Sequence, residues 1–328
     1  MPSNWDGLQR QWYKTSPLHL LLWPLSVLFH LLSSARRLLF RLGIFHSVRL
    51  PVPVIIVGNI TVGGSGKTPL TLWLAQQLIA QGLHPGIVSR GFGGSGSQPQ
   101  AVTPASTPDE AGDEPVLMAQ RGLCPVWVGR NRPAAAQALL QAHPQCDVII
   151  SDDGLQHYRL QRDVEIVVVD GARRFGNGWL LPAGPLREPA SRLLGVDAVV
   201  VNGGSAGHNE YPMQLVGEKF YSLMQPTRSA TADQFAGQQP HALAGIGYPE
   251  RFFAHLRQMG LAPRAHAFPD HYRYRAEDLA FGDAAPILMT EKDAVKCRAF
   301  ASEQCWALRV DAQLDFSLIQ HILKKIRP

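Results

Sequence analysis

The chain of 328 residues is long enough for about two domains with a substantial core. Its 45% hydrophobic and 17% charged residues exclude a disordered chain and indicate a globular, slightly apolar protein. The four cysteines show no CxxC spacing, which argues against a zinc site or a disulfide framework and is typical of a reducing compartment.

The net charge of +5 lies entirely in the first 50 residues, which contain six Arg or Lys residues and one Asp. A nucleic-acid-binding protein usually carries basic residues over its folded body, so this distribution argues against nucleic acid as a partner. Basic residues around an apolar segment favour an anionic membrane surface instead. No sequence feature indicates an obligate protein partner.

The first predicted element is an apolar helix within a membrane-associated segment, residues 1–45. Residues 15–35 contain no charged side chain, but they are only marginally long enough to cross a bilayer. Because His19, Pro24 and His30 weaken a spanning helix, we expect a helix that lies in the membrane interface. A secretory signal peptide is disfavoured because no small-residue cleavage site follows, and a buried core helix is the other alternative.

The stretch from Val54 to Thr71 predicts a phosphate-binding loop between a strand and a helix. Glycines let backbone N–H groups turn toward phosphates, Lys67 would reach the β- and γ-phosphates, and the Thr68 hydroxyl would bind Mg²⁺. The P-loop pattern wants Gly where this chain has Thr61, and a glycine-rich turn without a ligand is the alternative. The predicted nucleotide-binding residues are Thr61, Val62, Gly63, Gly64, Ser65, Gly66, Lys67 and Thr68.

Two pairs of acidic residues follow in the same predicted α/β unit. Asp113 and Glu114 open a predicted helix, where acidic residues are common caps. Asp152 and Asp153 end an apolar strand about 85 residues after the P-loop, a typical place for carboxylates that hold Mg²⁺. Capping of the next turn is the alternative for either aspartate.

Two loops carry further candidates. Arg187 lies in the Gly- and Pro-rich loop 181–188, where it could stabilise developing phosphoryl charge or pair with Glu188. His271 lies in a polar and aromatic loop, residues 268–274, where a packed loop residue is the alternative to a catalytic one.

Alternating strands and helices predict an α/β fold with a mostly parallel, P-loop NTPase-like sheet. Residues 95–108 are rich in Ser, Pro, Gln and Thr and are predicted to be a loop. A composition break at 203–210 separates two units. The predicted domains are a P-loop core at 46–208, a β-stranded linker at 209–240 and a smaller C-terminal α/β domain at 241–328, whose last helix could return to the core.

Several segments together resemble one family, the tetraacyldisaccharide 4'-kinases of lipid A synthesis. The resemblance covers nearly the whole chain. It includes Thr61, because the family's loop also has Thr at this position. The segments that carry it are GNITVGGSGKTP (58–69), SRGFGG (89–94), GDEP (112–115), SDDGLQH (151–157), GPLREP (184–189), GIGYPERFF (245–253), FPDHYRY (268–274) and TEKDAVK (290–296).

The resemblance implies a kinase that uses ATP and Mg²⁺ at the cytoplasmic face of the bacterial inner membrane. Its substrate would be a tetraacylated glucosamine disaccharide 1-phosphate, phosphorylated at the 4'-hydroxyl to give lipid IVA. Tyr272 departs from the family, which often has a second His there. Asp113 matches the catalytic aspartate, His271 its partner and Arg187 a catalytic arginine, while Asp152, Asp153 and Glu114 match acidic positions around Mg²⁺.

For the mechanism, we expect Asp113 to accept the hydroxyl proton while His271 orients it from the other domain. Lys67, Arg187 and Mg²⁺ would neutralise the transferred phosphate, with Thr68 among the metal ligands. The alternative is a membrane-positioned ATPase switch of the partitioning-ATPase type. Residues 63–68 also resemble the phosphate-binding loop of those proteins. Those ATPases carry a signature Lys before Gly-Gly, where this chain has Val62.

Overall fold

Two β-sheets organise the chain, which the computed structural model describes at residues 12–13, 17–96 and 98–327. The strands are β1 (Val54–Gly58), β2 (Pro85–Ser89), β3 (Gln100–Val102), β4 (Val126–Val128), β5 (Val148–Asp152), β6 (Val164–Asp170), β7 (Ala198–Asn202), β8 (Glu210–Val216), β9 (Lys219–Ser222), β10 (Ser229–Thr231), β11 (His241–Ala244), β12 (Arg264–Ala267), β13 (Ile287–Thr290), β14 (Cys305–Leu308) and β15 (Asp311–Leu314).

The α-helices cover these sheets. They are α1 (Leu18–Arg41), α2 (Lys67–Ala80), α3 (Pro108–Ala111), α4 (Asp113–Arg121), α5 (Arg132–Ala142), α6 (Pro249–Gln258), α7 (Glu291–Cys297) and α8 (Ser317–Ile326).

The first sheet has the strand order β15-β8-β7-β6-β1-β5-β2-β4-β3. Its strands are parallel except for β3 and β15, which are antiparallel at the two edges. β1 lies between β5 and β6 and is buried at every position, as its apolar β-branched sequence predicts. The prediction of an α/β fold with a mostly parallel sheet is therefore confirmed.

Apolar side chains fill both faces of the first sheet. On one face, Leu70, Leu74 and Leu78 of α2 pack in one cluster with the buried residues of α8. On the other face, Leu139 of α5 packs against apolar side chains of β1 and β5. Two helical layers thus exclude water from the strands whose ends carry the candidate site.

The second sheet has the order β10-β9-β14-β13-β11-β12. The strands β11 to β14 are parallel, and β9 and β10 are antiparallel to them or to each other. Phe220, Phe253 and Trp306 anchor its core. This sheet places the loops that follow β11, β12 and β13 beside the first sheet's strand ends.

Residues 209–240, predicted to be a β-stranded linker, contribute strands to both sheets. β8 pairs with β7 and β15 in the first sheet, whereas β9 and β10 belong to the second. After the second sheet is complete, β15 and α8 return to the first, where Leu318, Ile319 and Ile322 are fully buried. The exact domain limits stay a prediction.

One predicted loop contains a strand. Within residues 95–108, Gln100–Val102 forms β3 and pairs antiparallel with β4, and Pro108 begins α3. The expectation of loop throughout this segment was therefore wrong. The pairing partner of β3 lies more than twenty residues away, and such a non-local hydrogen-bond ladder overrides the local preference of Ser, Pro and Thr for loops.

The N-terminal helix α1 exposes much of its apolar surface. Leu20, Leu21, Leu31 and Leu32 are each more than half exposed, while Ser26 on the opposite face is buried. No helix within the described residues is apolar enough over sufficient length to span a membrane. The first residues of the predicted segment 1–45 lie outside the described residues.

Candidate functional site

The glycine-rich loop connects the end of β1 to the start of α2 at the carboxyl edge of the first sheet. Gly63 and Gly66 have left-handed φ angles of +96° and +97°, which glycine adopts without steric strain. The side-chain amide of Asn202, at the end of β7, donates to the Ser65 carbonyl at 3.0 Å. A β-carbon at Gly66 would crowd that amide group, so the close approach of Asn202 favours glycine at this position.

Inside the loop, one hydroxyl is left without a partner. The Ser65 side chain is buried, and its Oγ has no hydrogen-bond partner in the part of the chain that the structure describes. Buried polar groups usually have a partner, so an unpaired hydroxyl in a glycine-rich loop fits a site for phosphate oxygens.

Basic side chains converge on one carboxylate beside this loop. Lys67 Nζ lies 3.4 Å and Arg187 Nη1 3.5 Å from Asp153 Oδ1. Although burial raises the pKa of Asp153, these two cations lower it to about 2, so the carboxylate stays charged. The predicted residues Lys67, Arg187 and Asp153 are therefore brought together at the loop.

Asp152 has a different environment from its neighbour. Its side chain is fully buried and accepts hydrogen bonds from Thr71 Oγ1 at 3.3 Å and Ser89 Oγ at 3.4 Å. Burial, followed by the charges of Glu114 and Asp153, raises the pKa of Asp152 to about 7. The pKa values of the two adjacent carboxylates are thus shifted in opposite directions, and among the described residues only Asp153 is within salt-bridge distance of cations.

A second group of predicted residues meets where the two sheets face each other. Asp113 opens α4 over the first sheet, and His271 follows β12 in the second. Asp113 Oδ2 and His271 Nδ1 are 3.0 Å apart, and Asp113 Oδ1 accepts from the Glu114 amide at 2.9 Å. The expected pairing of these residues across the two units is present in the structure.

The contact between Asp113 and His271 shifts the pKa of each residue toward its charged form. Burial raises the pKa of Asp113, but the hydrogen bond from His271 and the charge of Lys292 outweigh burial and lower it to about 2. Burial lowers the pKa of His271, and the bond to Asp113 raises it above the ordinary value. Asp113 is therefore an ionised acceptor held in a fixed orientation.

A cavity of about 660 Å³ opens beside Asp113 and His271. Its walls combine aromatic rings with cationic side chains, which suits a ligand that has both apolar and anionic parts. The lining includes Phe92, Phe300, Lys296, Arg273 and Arg298.

Sequence reasoning missed Arg173, which connects the phosphate-binding loop to the second sheet. Its guanidinium donates to the Gly64 carbonyl at 2.7 Å and to the Gly247 carbonyl at 3.2 Å. Asp170, at the end of β6, holds Arg173 at 3.1 Å and Arg251 at 2.8 Å. An aspartate ending a strand next to β1 was the signal that could have identified this network.

The loop that carries Arg187 joins the phosphate-binding loop to α1. The Val62 amide donates to the Pro185 carbonyl at 2.9 Å, and the Arg187 amide donates to the Ile60 carbonyl at 2.7 Å. On the other side, Ser26 Oγ of α1 donates to the Leu180 carbonyl at 2.9 Å. The N-terminal helix is thus packed against a wall of the site.

The predicted Mg²⁺ ligands remain a prediction. Within the described ranges, no three His, Cys, Asp or Glu side chains are grouped to hold a metal. Magnesium bound with a nucleotide takes much of its coordination from phosphate oxygens and water, so few protein ligands are needed. Glu114 Oε1 accepts from Lys292 Nζ at 3.1 Å, which leaves its other oxygen free of that contact.

Comparison with known proteins identifies relatives along the whole chain. Residues 18–327 match the family model LpxK, described as tetraacyldisaccharide-1-P 4'-kinase. The tetraacyldisaccharide 4'-kinase of Methylobacillus flagellatus is 53% identical over 99% of this chain and 96% of its own. The corresponding protein of an Azoarcus species is 52% identical over 96% of this chain and 94% of its own.

A solved structure agrees with these relatives. The crystal structure of "apo" form LpxK from Aquifex aeolicus in complex with ATP superposes with a TM-score of 0.78 at 28% identity. The match covers 94% of this chain and 99% of that chain.

We expect Gly66→Ala to weaken ATP binding roughly tenfold to a hundredfold, corresponding to about 1–3 kcal/mol of strain. The new β-carbon would lie 3.1 Å from Met213 Cε and crowd the Asn202 amide group at a φ of +97°. The measurement is the Kd of a fluorescent ATP analogue by equilibrium titration.

Gly82→Ala is the matched control, because Gly82 also has a left-handed φ but no atom within 4 Å of its β-carbon position. Both variants should lose stability, and only Gly66→Ala should lose affinity. Equal affinities in the two variants would contradict this role of Gly66.

Proposed function

The chain belongs to the tetraacyldisaccharide-1-P 4'-kinase family, and we propose that the residues described above carry out its phosphate transfer in the following roles. It is a lipid kinase of lipid A biosynthesis that uses ATP and Mg²⁺. The family assignment favours this activity over a partitioning-type ATPase switch. The finer assignments, from single residues to the membrane, are our proposal.

The phosphate-binding loop is proposed to hold the triphosphate of ATP. The donors would be the backbone amides at 63–66, the Lys67 ammonium and the Ser65 hydroxyl, which has no hydrogen-bond partner among the described residues. The site's oxygen donors also suit Mg²⁺, a hard cation, which would be held by Thr68, Asp152, Asp153 and Glu114. When bound, Mg²⁺ neutralises negative charge on the phosphate oxygens.

Asp113 is proposed as the base that receives the proton of the sugar hydroxyl. Its carboxylate is ionised, is oriented by His271 at 3.0 Å and borders the 660 Å³ cavity. This hydrogen bond, which joins the start of α4 to the loop after β12, is the observation that carries the proposal. A low pKa makes Asp113 a weak base, which suits phosphoryl transfer because the hydroxyl proton leaves late in a loose transition state.

Lys67 and Arg187 are proposed to stabilise the charge that develops on the transferred phosphoryl group. In the structure both contact Asp153, which holds them at the loop before a phosphate is present. An incoming phosphate offers these cations stronger partners, since charge-assisted hydrogen bonds to phosphate are short and strong. Because both cations already lie at the loop, little rearrangement is needed when the nucleotide binds.

We further propose that the acylated disaccharide is taken from an anionic membrane surface by way of α1. Its leucines are exposed on one face, and the arginines near its C-terminal end suit lipid headgroups. The site of action would be the cytoplasmic face of the inner membrane, because ATP is supplied there. On its inner face, Ser26 Oγ accepts from the Ala183 amide of the loop that carries Arg187, at 3.0 Å.

The direct test uses γ-labelled ATP in detergent micelles with the tetraacylated disaccharide 1-phosphate, with lipid products resolved by mass. We expect a product heavier by one phosphate, lost in Lys67→Ala. Asp113→Ala should lower kcat by about 10²–10⁴-fold with little change in the KM for ATP.

Asp233→Ala, at an exposed aspartate of the second unit, is the control and should behave like the wild type. Near-normal turnover of Asp113→Ala would remove Asp113 from the proposed mechanism. ATP hydrolysis without labelled lipid would contradict the kinase reaction itself.

For the membrane proposal, we expect the double substitution Leu21→Glu and Leu32→Glu to weaken binding to anionic vesicles by roughly a hundredfold or more. Burial of each leucine in lipid contributes about 1.5–3 kcal/mol. Sedimentation with phosphatidylglycerol-containing vesicles measures the bound fraction.

Met224→Glu replaces an exposed apolar residue far along the chain from α1 and is the control. If the double variant sediments with vesicles as the wild type does, the exposed face of α1 is not the membrane-binding surface.

A further inference from the structure

Lys292 lies at the centre of the group that surrounds His271, although no role has been assigned to it so far. It is the second residue of α7, which begins where β13 ends. Its Nζ lies 3.1 Å from Glu114 Oε1, 3.2 Å from Asp270 Oδ1 and 3.4 Å from His271 Nε2. Asp113 Oδ2 is slightly farther, at 3.8 Å.

The number of contacts matches the chemistry of the ammonium group. A charged lysine has three N–H donors and no acceptor, and three acceptor atoms stand at hydrogen-bond distance around Lys292. Three carboxylates surround Lys292: those of Glu114 and Asp270 lie at hydrogen-bond distance, and that of Asp113 is farther away. The lysine therefore stays charged and can only donate.

This restriction determines the form of His271. Because the ammonium of Lys292 can only donate, Nε2 is the acceptor of this contact whenever the His271 ring is neutral, and the hydrogen of the neutral ring is then on Nδ1. Nδ1 then donates to Asp113 Oδ2 at 3.0 Å. The other neutral tautomer, with hydrogen on Nε2, would point that hydrogen at the ammonium and would leave Nδ1 unable to donate to the carboxylate.

Lys292 also supports the backbone of His271. Asp270 Oδ1 accepts both from Lys292 and from the His271 amide, the latter at 3.1 Å. His271 has a φ of +59°, a conformation that costs energy for a residue other than glycine. The lysine thus fixes the ring at one end and, through Asp270, the strained backbone at the other.

We infer that Lys292 is a positioning residue that holds His271 as its Nδ1–H tautomer toward Asp113 and ties this pair to Glu114. The inference rests on the proposed roles of Asp113 and His271. An ion pair that merely joined the two units would account for the Glu114 contact but not for the placement of the ammonium on His271 Nε2.

The test compares Lys292→Met, which keeps the length of the chain without charge or donors, with Lys292→Arg, which keeps both. Lys325→Met is the control, because Lys325 is a partly exposed lysine of α8 that pairs with Asp197. We expect Lys292→Met to lower kcat by roughly 10–100-fold, as loss of an orienting partner does, with the KM for ATP unchanged. Lys292→Arg should recover part of this loss, and Lys325→Met should not differ from the wild type.

The second readout is the ¹⁵N spectrum of protein labelled at histidine, with the His271 signal assigned by its loss in His271→Gln. At a pH above the pKa of His271 in the wild type, which the same spectra give by titration, we expect Nδ1 to carry hydrogen and Nε2 to be unprotonated in the wild type and in Lys292→Arg. In Lys292→Met, Nε2 should gain a proton. This reading does not depend on turnover, so it stands even if Asp113→Ala shows that the proposed roles are wrong.

Three results at that pH would overturn the inference: a neutral wild-type ring with its hydrogen on Nε2, an unchanged ¹⁵N pattern in Lys292→Met, or a normal kcat in that variant. A loss of kcat with an unchanged pattern means that Lys292 only joins the two units. If Lys292→Met does not fold, as thermal unfolding would report, the wild-type and Lys292→Arg spectra still decide the tautomer.

Discussion

The hydrogen bond between Asp113 and His271 joins the two units of the chain, one built on each sheet, and the proposed acceptor site depends on this contact. Asp113 is fixed by the start of α4, and His271 by a strained loop after β12. The two units meet again at the phosphate-binding loop, where Arg173 bridges Gly64 and Gly247. The proposed nucleotide and acceptor sites are therefore built by the same interface, which would link phosphate binding to assembly of the proposed base.

Charge distribution explains why these sites can lie so close together. The acidic residues needed for a proton acceptor and a metal would repel a triphosphate if they were left unbalanced. Lys67 and Arg187 neutralise Asp153, and Lys292 lies among Asp113, Glu114 and Asp270. Asp152 has no such direct partner in the part of the chain that the structure describes, and burial raises its pKa to about 7 instead. Each carboxylate is thus either paired with a cation or shifted toward its neutral form.

Local sequence signals predicted much of this arrangement. The apolar run of β1, the glycines before Lys67 and the acidic start of α4 each reflect the conformation of a few adjacent residues. Arg173, Asn202 and Lys292 could not be found this way, because their partners lie on elements distant in the chain. The same reason explains why β3 was not predicted and why β8 was not assigned to the first sheet. β3 pairs with β4, and β8 pairs with β7 and β15, and these pairings do not show in the local sequence. His271 was identified by resemblance, and the site assignments stay predictions.

The most direct measurement is a double-mutant cycle on kcat at saturating ATP and lipid, using Asp113→Ala, His271→Ala and the two combined. If His271 acts by orienting Asp113, the double variant should be about as slow as Asp113→Ala alone, because the histidine has nothing left to orient. If the two losses multiply instead, the residues act independently, and the account of a single base assembled across the two sheets is contradicted.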